Sequence, residues 1–228
     1  MDGMPMPSGE TMSMMWMRMP GQSWAGTAAS FLAMWVAMMV AMMLPSLLPM
    51  LWRHRRAMLH NGNAHAERLT ALVGVGYFAV WAAFGMVVFP LGVALAAIAM
   101  REPVLARVAP IAVGAVVMFA GVLQHTTWKS RQLALCRESP SRAHVLPADV
   151  RAAWRHGVCL GLHCCGSCAP LTAVLLAVGM MDFRVMTAIT AAITAERLAP
   201  GGVRVVRAIG DAVVVAGLVL MARAVGLG

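Results

Sequence analysis

Positions 159 to 168 read Cys-Leu-Gly-Leu-His-Cys-Cys-Gly-Ser-Cys, so four of the five cysteines fall beside a histidine within ten residues. On a helix, at 100° per residue, Cys164 and Cys168 lie about 40° apart, with Cys165 between about 60° and 100° from each. Three thiols then share one face, and Cys159 and His163 form an i,i+4 pair on the neighbouring one. Small residues packing helix on helix are the plain alternative. A disulfide fits poorly, because adjacent cysteines and an i,i+4 pair within a helix both lack the normal bridging geometry. Thiolates select soft ions such as Cu(I), zinc or iron–sulfur clusters. The last of these needs four cysteines at spacings that this run lacks.

Methionine supplies a second set of soft donors. The chain holds 22, and 14 of them precede position 51. Met34, Met38 and Met42 form an i,i+4 stripe, with Met39 and Met43 beside it; as plain chemistry this is flexible core filler. Met12, Met14, Met15, Met17 and Met19 crowd the N-terminal segment. Thioethers bind Cu(I) without losing a proton, so this run would work outside the cell. The competing role is an interfacial anchor flanked by Trp16 and Trp24. Polar groups gather elsewhere: Gln124, His125, Lys129 and Cys136, and Glu196 beside Arg197, where a salt bridge or helix-end anchor is the simpler role for the carboxylate.

The elements that carry these residues are set by composition. Of 228 residues, 61% are hydrophobic and 12% charged, against roughly 25% charged in soluble domains. Neither a soluble globule nor a disordered chain fits. Apolar runs predict an all-α, polytopic transmembrane bundle of about six helices: about Thr27–Leu51, Leu69–Met100, Val104–His125, Val158–Met181, Arg184–Ala199 and Val203–Val225. The fifth, about 16 residues, is short for a ~30 Å hydrocarbon core and could be tilted or re-entrant. Residues 1–26 form a Met-rich extracytoplasmic segment, and 27–228 the transmembrane domain. The start is not read as a cleavable leader, since Asp2 comes early and no Lys or Arg precedes Arg18.

Charge sets the orientation. With the N-terminus outside, 13 of the 18 Lys and Arg residues fall in cytoplasmic loops, and both ends face outward. The net charge of +9 would suggest nucleic acid for a soluble protein. Here the basic loops explain it, so the expected partner is lipid and no nucleic acid. The expected location is the inner (plasma) membrane of a prokaryote.

Several of these signatures occur together: Ala41-Met42-Met43-Leu44-Pro45-Ser46, Gln124…Lys129…Cys136-Arg137…Pro140, His156-Gly157, the cysteine run, Gly179-Met180-Met181-Asp182 and Glu196-Arg197. In that order the chain resembles the family of predicted metal-binding integral membrane proteins, a domain of unknown function, from Ala33 to about Gly210. Many members carry Cys-Cys-Trp where this chain has Cys164-Cys165-Gly166, and an aromatic residue where it has Leu123. The resemblance implies a helical membrane protein that binds metal; it implies no reaction.

The candidate ligands are Cys164, Cys165 and Cys168, completed by Cys159, His163 or a group from another helix. Met42 and Met43 could add thioethers, and His125 and Glu196 have easier structural roles. The metal expected is copper, with zinc as the alternative. One reading is a membrane-embedded copper-binding protein that handles or delivers the metal, for example to a copper-dependent membrane enzyme or other subunits. A metal-dependent membrane oxidoreductase, or a subunit of one, is the second; a purely structural subunit is the third. No phosphate-binding loop and no nucleophile with a base is present, and whether the chain is an enzyme stays open.

Overall fold

A computed structural model describes residues 4–5, 11–12, 23–60, 65–138, 149–180, 182–199 and 202–226. Seven helices carry almost all of them: α1 (Trp24–His60), α2 (Ala66–Arg101), α3 (Pro103–Gln124), α4 (Thr127–Glu138), α5 (Val150–Val178), α6 (Phe183–Leu198) and α7 (Gly202–Ala224). Ahead of them, the two-residue strands Met4–Pro5 and Thr11–Met12 pair antiparallel. Apart from Met12, the N-terminal methionine run lies outside the described residues.

Local chemistry sets the helix ends. Ser23 Oγ accepts from Gly26 N–H at 3.1 Å at the start of α1, and no charge follows until Arg53. Pro45 and Pro49 lie within the helix, which continues to His60. This extends the expected span beyond Leu51. Hydropathy marks where apolar residues stop, whereas the arginines, Ala57, Met58 and Leu59 that follow are good helix formers. Glu102 is extended at φ −117° and ψ 99°, as the residue before a proline prefers, and it separates α2 from α3. Asp149 caps α5 by accepting from Ala152 N–H at 2.7 Å. Gly179 ends α5 at φ 131°, a conformation that side chains rarely adopt. Asp182 caps α6 through the backbone amides of Arg184 and Val185.

Helix α4 departs from the sequence reading, which left residues 127–138 as a cytoplasmic loop. The chain bends by 68° between α3 and α4, where Thr126 Oγ1 donates to the Leu123 carbonyl at 2.7 Å. Short and of mixed polarity, α4 is held by its contacts with α5, which hydropathy does not register.

Four helices, α1, α2, α5 and α7, are long and apolar enough to cross a membrane, and a fifth is counted where the bent α3–α4 pair is taken as one span. The 16 residues of α6 span only about 24 Å. The most extensive packing is α3 on α7, followed by α2 on α5 and α1 on α2. Small residues allow these approaches. A Cβ on Gly157 would collide with the Val73 backbone, and one on Gly121 would sit 2.7 Å from Val214 N. Trp35, fully buried, donates from Nε1 to the Trp81 carbonyl at 2.9 Å and ties α1 to α2. Val87, Leu95 and Phe119 face outward instead, as expected of side chains that meet lipid.

Candidate metal centre

Helix α5 runs through the middle of the bundle, touching α2, α3, α4 and α6. It buries Cys164 and Cys168 completely, and their Sγ atoms lie 3.7 Å apart. Two thiolates bound to one metal at about 2.3 Å, with an angle near tetrahedral, are separated by about 3.8 Å. The pair is therefore already at the edge length of a four-coordinate thiolate site. All five cysteines are free thiols.

Other helices close around this pair. Tyr77 on α2 brings its hydroxyl to 2.8 Å from Cys164 Sγ. The Ser167 hydroxyl donates to the Cys164 carbonyl at 3.0 Å. It also lies 3.7 Å from Cys168 Sγ and 3.6 Å from Cys136 Sγ. Cys136 comes from α4 and is buried. The 68° bend thus brings a third thiol to the far side of the Ser167 hydroxyl.

Buried charge surrounds the thiols. Lys129 and Glu196 are both buried and pair at 2.7 Å. Lys129 also donates to the Ser167 carbonyl, and Gln124 Nε2 donates to Glu196 Oε1 at 2.7 Å. The expected pairing of Glu196 with its neighbour Arg197 does not occur, since consecutive helical residues point about 100° apart. Arg197 turns the other way. Its guanidinium donates to Ser46 Oγ at 2.8 Å and to the Tyr77 hydroxyl at 3.5 Å, within electrostatic reach of Cys136, Cys164 and Cys168. Among the described residues no carboxylate pairs with it.

The remaining candidates lie elsewhere. Cys165 is half-buried on the flank of the pair, and Cys159 is exposed. His163 Nδ1 lies 3.4 Å from Gln132 Oε1. His125 meets Asp211 at 3.3 Å near the surface. Met42 and Met43 are buried on α1, with Ser46 Oγ bonded to the Met43 carbonyl at 3.0 Å. The sequence reading had three α5 thiols on one face; the structure buries two together and leaves the third aside. Among the described residues, no three His, Cys, Asp or Glu side chains converge on one point as metal ligands.

Four contributors were not candidate ligands in the sequence: Tyr77, Cys136, Ser167 and Arg197. One further signal could have pointed to this centre. The chain has one tyrosine, Tyr77, and it sits inside an apolar helix where a hydroxyl needs a partner.

A family model described as PpoB2, copper chaperone, matches residues 32–220. No curated protein and no solved structure matches the chain.

Proposed function

The chain belongs to the PpoB2 copper chaperone family and handles copper, and from that premise we propose that it is a membrane-embedded carrier. It takes Cu(I) as cargo at Cys164 and Cys168 and passes it to a copper-dependent membrane protein. The observation that carries this reading is the buried pair of thiols 3.7 Å apart, linked through the Tyr77 hydroxyl to a guanidinium without a carboxylate partner among the described residues.

Charge arithmetic supports it. Two thiolates and one Cu(I) carry a net −1, and binding requires the thiols to lose their protons. Such a charge is costly in a buried site unless it is paired. Lys129 is already matched by Glu196, so among the described residues Arg197 is the cation left near the thiols for a copper–thiolate unit. Thiolate softness favours Cu(I) over zinc. Cys136 stands next to the Ser167 hydroxyl as a transfer partner of the pair. Met42 and Met43 give the cargo a thioether step along α1.

The same reading places the arginine-rich ends of α1, α5 and α6 in the prokaryotic cytoplasm, by the bias of basic residues to that side. Residues 1–26 then lie outside, where their methionines collect Cu(I), and residues 27–228 form the membrane domain. The test is metal analysis of the purified chain loaded anaerobically with Cu(I). One tightly held Cu(I) per chain is expected; a chain that retains none contradicts the reading.

A further inference from the structure

A cavity of about 190 Å³ opens between the ends of α1, α4 and α6. Arg53, exposed, stands at its rim, and half-buried Arg197 forms part of its wall. Cys136 lines it, with Ser46 and Met50 alongside. Among the described residues, none that lines it is acidic. Cys136 and Arg197 therefore each touch two places. One is this cavity, and the other is the interior, where the Ser167 hydroxyl reaches both Cys136 and Cys168 and Arg197 donates to the Tyr77 hydroxyl.

A bare cation would gain nothing from a chamber bounded by two guanidiniums. An anion would gain attraction at the rim and a charge-assisted partner at the wall. The soft donors Cys136 and Met50 specify what kind of anion. Resting on the proposed role of Cys164 and Cys168, we infer that this end of the bundle has its own supply, separate from the outer methionines: copper enters here as a small anionic Cu(I)–thiolate complex, and Cys136 is its first acceptor.

The exchange balances without a redox partner. Cu(I) arrives bound by two small thiolates with net charge −1. The Cys136 sulfur forms a bond to copper as one copper–thiolate bond breaks. The Cys136 proton leaves on the departing thiolate, which becomes a free thiol. Copper stays Cu(I), and the complex keeps its −1 charge beside Arg197. Repetition of the exchange with Cys168 and Cys164 carries the metal inward.

The test compares loading rates of the full chain in detergent, under anaerobic conditions. One donor is Cu(I) bound by glutathione, which is anionic; the other is the cationic acetonitrile complex of Cu(I). The variant is Arg53→Gln, an exposed change that leaves the interior thiols untouched. It should slow loading from the glutathione complex by about fivefold and leave loading from the acetonitrile complex and the final stoichiometry unchanged. Raising the salt to 1 M should erase the wild-type preference for the anionic donor, because the Debye length falls to about 3 Å. Equal rates from both donors in wild type and variant, or equal slowing of both, would overturn the proposed route while leaving the copper site standing. Failure of the wild type to take up any Cu(I) would overturn both.

Discussion

Lys129 Nζ and Glu196 Oε2 lie 2.7 Å apart with both side chains buried, which neutralises each of them. The next residue, Arg197, donates instead to the Tyr77 hydroxyl, which meets Cys164 Sγ, and lines the cavity that Cys136 also lines. One turn of α6 thus holds a closed ion pair and an open guanidinium, and this division underlies the proposed binding of an anionic copper–thiolate unit.

The closed pair makes a stability prediction. Lys129→Met removes the lysine and leaves the Glu196 charge inside the bundle, at a cost of about 3–5 kcal/mol. Lys129→Met combined with Glu196→Gln removes both charges and should recover most of that loss. Denaturant unfolding in detergent, run as a double-mutant cycle, reads the difference. A double variant as unstable as the single one would mean that the two groups do not act as a pair.

Tyr77 makes an affinity prediction. Its hydroxyl touches Cys164 Sγ at 2.8 Å, whereas its ring fills space between α2 and its neighbours. Tyr77→Phe keeps the ring and should weaken Cu(I) binding by about tenfold, the usual lower bound for losing a group that supports a ligand. Arg197→Gln should cost more, about a hundredfold, because it removes the counter-charge. Competition with bicinchoninate measures both, and unchanged affinity in Arg197→Gln would contradict the charge argument.

Packing makes a third prediction. Gly157→Leu forces a side chain into the Val73 backbone and should destabilise the α2–α5 contact by about 1–3 kcal/mol. Gly74→Ala is the control, because its added methyl meets only Leu51 Cδ1, at 3.8 Å. Thermal unfolding should separate the two clearly. Similar midpoints for both variants would mean that α2 and α5 are not packed this closely.

Much of the frame was legible in the sequence, because apolar length alone marks α1, α2, α3, α5 and α7. The Cys164–Cys168 pair was legible too, since i,i+4 spacing puts two side chains on one face. What escaped depends on contacts between distant segments. Cys136 reaches Ser167 only because the chain bends after Gln124, and no local pattern in residues 127–138 announces that bend. Cys165 was grouped with its neighbours on helical angle, but its exposure depends on which flank of α5 is covered. A salt bridge was expected of Glu196 from its neighbour Arg197, whereas the structure pairs it with Lys129, from 67 residues earlier.

Orientation makes a fourth prediction. With six crossings and the N-terminus outside, a C-terminal reporter that works only outside the cytoplasm should be active. Activity of a cytoplasm-only reporter there would mean that α6 does not cross, consistent with its short length. Deleting residues 1–20 should lower copper content at low external copper while leaving the bundle folded. Unchanged copper content would assign that segment to anchoring instead.

The central claim rests on two sulfur atoms, and the copper content of a Cys164→Ser/Cys168→Ser double variant tests it most directly. The account predicts a chain that still inserts into the membrane, elutes as the wild type does, and retains no tightly bound Cu(I) after anaerobic loading and desalting. A double variant that holds Cu(I) with the stoichiometry and affinity of the wild type would show that the two thiols serve only packing and that the cargo site lies elsewhere.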